Sequence, residues 1–105
     1  MSVTRQAVKG DILAKITLYE TAQGGRRGPT PRDELSCKMV IDGSIYDVKL
    51  YFNGSGPVHP GKSAQVSIRF LYPDHVKSVL SVGKSFQLRE IKDIGTGVIK
   101  QVNLS

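Results

Sequence analysis

The stretch that decides the fold is Gly61–Val102, GKSAQVSIRFLYPDHVKSVLSVGKSFQLREIKDIGTGVIKQV. Ala64, Val66, Ile68 and Phe70 alternate with Ser63, Gln65, Ser67 and Arg69. A period of two places the first set on one face of a β-strand and the second on the other. Lys84–Glu90 repeats the pattern with Phe86 and Leu88 inward, and Ile94–Val102 ends the stretch as a further strand carrying Gly95 and Gly97. Glycine inside a strand marks a bend or the close approach of a neighbour. Tyr72–Val82 is the one segment with a helical option, with Asp74 placed to cap a turn holding Val76, Val79 and Leu80. It is too short for more than a helical turn or a non-helical crossing, and the pattern leaves those two open.

Upstream, the same period recurs. Asp11–Glu20 alternates through Ile12, Ala14, Ile16 and Leu18, and Leu35–Asp42 through Leu35, Cys37, Met39 and Ile41. Asp42-Gly43 then signals a hairpin, and Ile45–Phe52 returns with Tyr46, Val48, Leu50 and Phe52 on one face. Two breaker-rich loops, Thr21–Arg32 (TAQGGRRGPTPR) and Asn53–Gly61 (NGSGPVHPG), separate these runs. Six short strands without a long helix predict an all-β fold, a six-stranded antiparallel, Greek-key-like barrel. Residues 1–10 are polar and read as a partly flexible arm ahead of a single barrel domain over 11–105.

The bulk numbers fit that reading. A chain of 105 residues supports one modest core. The single cysteine excludes an internal disulfide and a multi-cysteine metal site. The N-terminus has no apolar signal core, and no apolar run nears the roughly 20 residues of a membrane helix. A cytoplasmic protein with no membrane association is expected. A net charge of +6 suits nucleic acid or an acidic protein surface, and equally a merely solvated one.

One chemical motif is conspicuous. Gly56-Pro57-Val58-His59-Pro60-Gly61-Lys62-Ser63 satisfies G-x-x-x-x-G-K-[ST], the phosphate-cradling loop of nucleotide triphosphatases. That chemistry needs a helix after the loop, whose N-terminal N–H groups face the phosphates. Here Lys62-Ser63 runs into a period-two strand, and Pro57 and Pro60 remove two donors. The better reading is a turn feeding a strand, with no nucleotide and no cofactor. His59 and His75 lie in different loops without a third ligand at metal-binding spacing. Cys37, on an apolar strand face, reads as a buried inert thiol.

The basic residues carry the remaining signal. Arg26 and Arg27 sit in a glycine-flanked loop with Arg32 nearby, Arg69 and Arg89 take outward strand positions, and Lys92 lies in the last turn. Arginines so placed suit bidentate contacts to phosphate or carboxylate. Whether they converge is not decided by sequence.

Taken together, three segments resemble the C-terminal β-barrel domain of elongation factor Tu. Phe86, Leu88, Arg89, Glu90, Ile94, Gly95, Gly97, Val98 and Ile99 stand in the places of that family's closing F-x-(I/L)-R-E-G-G-R-T-(V/I)-G-x-G-V-(V/I) run. Pro60-Gly61-Lys62 with AQVSIRFLYP is similar to its M-x-P-G-D-N strand and L-I-x-P segment, and ILAKITLYETAQGGRRGPTP to its opening strand and E-G-G-R-x-T-P loop. The resemblance spans about residues 11–102. It implies a barrel that is not catalytic, since the family's GTPase is a separate domain, and one that contacts transfer RNA, the exchange factor or its own G domain. Arg26 then matches the arginine of G-G-R, Arg27 its neighbour, and Glu90 the glutamate before the final turn. Ile91, Lys92 and Asp93 replace the family's G-G-R there, and Arg32–Lys38 lacks its aromatic residues.

The expectation is a non-enzymatic binding module, using Arg26, Arg27, Arg32, Arg69, Arg89, Glu90 and Lys92 to engage a translation-related protein or transfer RNA. The alternative is an immunity-type or regulatory protein that neutralises a toxin by mimicking the factor's barrel.

Overall fold

A computed structural model describes residues 7–104. Six strands form a closed antiparallel barrel: β1 (Ile12–Leu18), β2 (Glu34–Ile41), β3 (Ser44–Tyr51), β4 (Ser63–Phe70), β5 (Ser85–Arg89) and β6 (Asp93–Val102). The order around the barrel is β1-β4-β3-β2-β5-β6, with β6 pairing back to β1. Closure leaves no free sheet edge. The meander β2-β3-β4 with β1 returning beside β4 is a Greek key.

The inward positions of every strand fill the interior. Ile12, Ile16, Leu50, Ile68, Leu88 and Ile99 are fully buried, each burial contributing about 1.5–3 kcal/mol. Gly97 is paired with Phe86 and leaves the space that the Phe86 ring fills. Gly95 packs against the Thr17 carbonyl, which a Cβ would approach to 2.5 Å. Asp42 and Gly43 both have positive φ (50° and 79°), the two-residue turn that matches strand twist. That turn pairs Ile41 with Ser44 and sets the whole β2–β3 register.

Both ends of the barrel are capped by crossing loops. The segment 71–84 passes from β4 to β5 as two short 3₁₀ turns, Pro73–His75 and Lys77–Val79, and buries Val76. Asp74 lies inside the first turn and not at its cap, which is Tyr72 and has no side-chain cap bond. Pro73 sets the first turn ahead of it. At the other end the loops 19–33 and 52–62 are bonded together: Thr30 N donates to the Val58 carbonyl and Val58 N to Thr30 Oγ1, both at 2.9 Å.

Residues 1–6 of the expected N-terminal arm lie outside the described residues. Residues 7–10 are held on the barrel: Val8 N donates to Asn53 Oδ1 at 3.0 Å, Arg69 Nε to the Lys9 carbonyl at 3.1 Å, and Gly10 packs on the Ile68 backbone. Ser67, an outward position by alternation, is buried for this reason and accepts from Asn53 Nδ2 at 3.2 Å.

Candidate functional site

The loops 19–33, 52–62 and 90–92 all emerge at one end of the barrel, because β1, β3 and β5 run towards it and β2, β4 and β6 away from it. Topology therefore brings Arg26, Arg27, Glu90 and Lys92 together, although more than sixty positions separate them in sequence. They surround a shallow depression of about 320 Å³ with Ile91 and Ile94.

Arg26 is the pin of this corner. Its Nη1 donates to Glu90 Oε1 in an ion pair, while Nε and Nη2 donate to the carbonyls of Gly28 and Pro29, each at 3.3 Å. The loop presents Arg26 this way for local reasons. Gly24, at φ 92°, ends a short 3₁₀ turn, and Gly25 approaches the Tyr19 carbonyl so closely that a Cβ would lie 2.2 Å from it. Thr21 Oγ1 donates to the Arg26 carbonyl at 2.6 Å. The opposing turn is equally short, with Glu90 N donating to the Lys92 carbonyl at 2.9 Å. Ile91, at its tip, is fully exposed.

The other predicted residues divide. Arg89 adjoins the corner, with Nε on Asp93 Oδ1 at 2.6 Å, where a bulge between Leu88 and Arg89 sets Arg89 opposite Asp93. Arg32 is exposed beside Asp33, at 3.5 Å, and is not part of the depression. Arg69 lies on a different surface, the outer face of β2-β3-β4. The expected set is thus one cluster of four (Arg26, Arg27, Glu90, Lys92) with Arg89 at its margin, while Arg32 and Arg69 stand apart.

That outer face is concave, a groove of about 600 Å³. Its central row is Ser36, Lys49 and Arg69, directly paired across three strands. Lys38 and Asp47 form an ion pair in the next row, ahead of the exposed Leu71. Tyr51 lies under the Arg69 guanidinium, 5.7 Å from carbon to ring centroid. Of these residues, sequence reasoning named only Arg69 as a binding candidate, although alternation also turns Ser36, Lys38, Asp47 and Lys49 outward. Ser36↔Lys49 follows from the Asp42-Gly43 turn, but Lys49↔Arg69 depends on a long loop whose length sets no register.

Cys37, expected to be buried, is half-buried and lines this groove. Burial pushes its thiol up to about 12, the nearby Glu90 carboxylate adds to this, and Arg26 opposes it. At neutral pH it is a protonated thiol, without nucleophilic character. The loop that matches a nucleotide-binding pattern feeds β4 at Ser63, with no helix after it. Its N–H groups at Val58, Gly61 and Lys62 bond to Thr30, Leu18 and His59. His75 stacks on Tyr72 at 5.4 Å between ring centroids. Among the described residues, no three His, Cys, Asp or Glu side chains are grouped to hold a metal, and no helix is long and apolar enough to cross a membrane.

Comparison with protein-family models found no match to this chain, and comparison with curated proteins found none either.

Proposed function

We propose that this protein is a non-enzymatic binding module, a stand-alone barrel of the kind that ends elongation factor Tu, which engages a protein of the translation apparatus through the corner built by Arg26, Glu90, Ile91, Arg27 and Lys92. The observation that carries this reading is the Arg26–Glu90 pair. Both residues came from separate segments of the family-like pattern, and they meet each other. The closed six-stranded barrel agrees with the same resemblance. A protein partner is favoured over transfer RNA by the centre of the corner. Ile91 is a bare apolar side chain ringed by Arg27 and Lys92, and an apolar anchor with a charged rim is the anatomy of a protein interface. Glu90 already occupies Arg26, which leaves the corner one cation fewer for a phosphate backbone.

The test is capture of partners from lysate by the purified chain at two salt concentrations, with and without nuclease, beside Ile91→Asp and Arg27→Glu. A translation protein retained after nuclease treatment, and lost with Ile91→Asp, supports the proposal. Capture that disappears with nuclease replaces it with RNA binding. Capture of a toxin aimed at translation replaces it with the immunity reading, and no capture overturns it.

A further inference from the structure

The groove on the outer face of β2-β3-β4 is independent of the corner, and its opposed cations are less compensated than the other opposed pair, Lys38 and Arg89, which hold Asp47 and Asp93. Around β1 and β6 the outward row is largely uncharged, with Thr17, Ser63 and Thr96 in register. In the groove, two cations are set directly opposite each other, Lys49 on β3 and Arg69 on β4. Like charges directly opposed on a sheet face are destabilising. The local compensation is slight. Lys49 Nζ is 3.6 Å from Glu34 Oε1, and both side chains are exposed; such pairs contribute about 0–1 kcal/mol. Arg69 uses Nε on the Lys9 carbonyl and its flat face on Tyr51, which holds the guanidinium at the groove it lines. Asp47 is already neutralised by Lys38. The centre of the groove is therefore a held, under-compensated dication with Ser36 beside it.

We propose that this groove docks an extended protein segment carrying a carboxylate two residues from an apolar side chain. The carboxylate sits between Lys49 and Arg69, and the apolar group covers Leu71, which is 62% exposed at the end of the groove. Spacing supports this. Leu71 follows the end of β4, where its N–H donates to the Asp47 carbonyl at 3.0 Å, and stands two residues from Arg69, about 6.8 Å, the same distance that separates same-face side chains of an extended peptide. The groove is open along the face, which suits a strand-like segment better than an enclosed small molecule. The cations at its centre are two, Lys49 and Arg69, with Lys38 taken up by Asp47, which matches one carboxylate and not the run of phosphates of a continuous polyanion.

The experiment is a nuclear magnetic resonance titration of the ¹⁵N-labelled full chain. The probes are a blocked heptapeptide Gly-Ser-Glu-Ser-Leu-Ser-Gly, its Gln-for-Glu version, and an oligouridylate. The expected result is saturable shifts at the amides of Ser36, Lys49, Arg69 and Leu71 with the Glu peptide. Affinity should fall about tenfold with the Gln peptide, because a charge-assisted contact is lost. Lys49→Glu should abolish the shifts, and Arg69→Gln, which keeps a polar side chain against the arm, should weaken them. Equal binding of the two peptides, shifts confined to other faces, oligouridylate titrating these amides in place of the peptide, or no saturation overturns the proposal. Ile91→Asp leaves this titration unchanged, so the groove and the corner fail or stand separately.

Discussion

The Phe86 ring occupies the place of the side chain that Gly97 lacks: a Cβ on Gly97 would lie 2.3 Å from Cζ and 2.5 Å from Cε1. The two residues are directly paired between β5 and β6, and both are buried. The ring has nowhere to go without leaving the core. Gly97→Ala is expected to cost about 1–3 kcal/mol as an overpacking substitution, read as a lower urea midpoint with an unchanged slope. Gly28→Ala, at a glycine with nothing within 4 Å, is the control and should stay within about 0.5 kcal/mol. Equal effects at the two sites would refute the steric account.

The Arg26–Glu90 pair ties the loop 19–33, which is also bonded to the loop 52–62 through Thr30 and Val58, to the turn 90–92. Arg26 is 20% and Glu90 32% exposed, so the pair is partly withdrawn from solvent. A double-mutant cycle with Arg26→Ala and Glu90→Ala should give a coupling of about 1 kcal/mol, above the near-zero value expected for the exposed Lys49–Glu34 pair. Amides 24–32 should exchange faster in either single variant. Coupling no larger than at Lys49–Glu34 would mean that the corner is held by its backbone bonds alone.

Most of the barrel was legible because alternation is strong and the breakers are well placed. All six strands fall within about one or two residues of their expected bounds, and Asp42-Gly43 forms the expected turn. Two features resisted for physical reasons. Ser67 alternates outward yet is buried, because the chain before β1 folds back over β4, a long-range contact without periodic signature. The groove joins Ser36, Lys49 and Arg69 through strand registers, and only the tight-turn half of that row follows from local sequence. The corner was half legible: its residues were named, but their convergence is a property of topology.

Cys37 gives a pH prediction. With its thiol held up at about 12 against an ordinary 9.0, chiefly by burial, the folded chain keeps a proton that the unfolded chain loses. Its contribution is complete below pH 9 and is lost as pH rises from 9 towards 12. Lysines and tyrosines titrate in the same window, so the measurement is a difference. Between pH 8 and 10 the urea midpoint of the native chain should fall more steeply than that of Cys37→Ala. A thiol-disulfide reagent at pH 8 should label the half-buried Cys37 of the folded chain more slowly than that of the urea-unfolded chain. Parallel midpoint curves, or rapid stoichiometric labelling of the folded protein, would contradict the assignment.

Thr30 separates hydrogen bonding from hydrophobicity at the loop end of the barrel. Its side chain is 3% exposed; Oγ1 accepts from Val58 N at 2.9 Å and donates to the Pro31 carbonyl at 2.8 Å. Thr30→Val preserves shape and adds apolar surface but leaves the buried Val58 N–H without its acceptor, a loss of about 1–3 kcal/mol. Thr30→Ser keeps the acceptor and removes one methyl, about 0.8 kcal/mol. The more hydrophobic variant should therefore be the less stable, with faster exchange of the Val58 amide. The reverse order in chemical denaturation would show that packing, and not the hydroxyl, joins the loops 19–33 and 52–62.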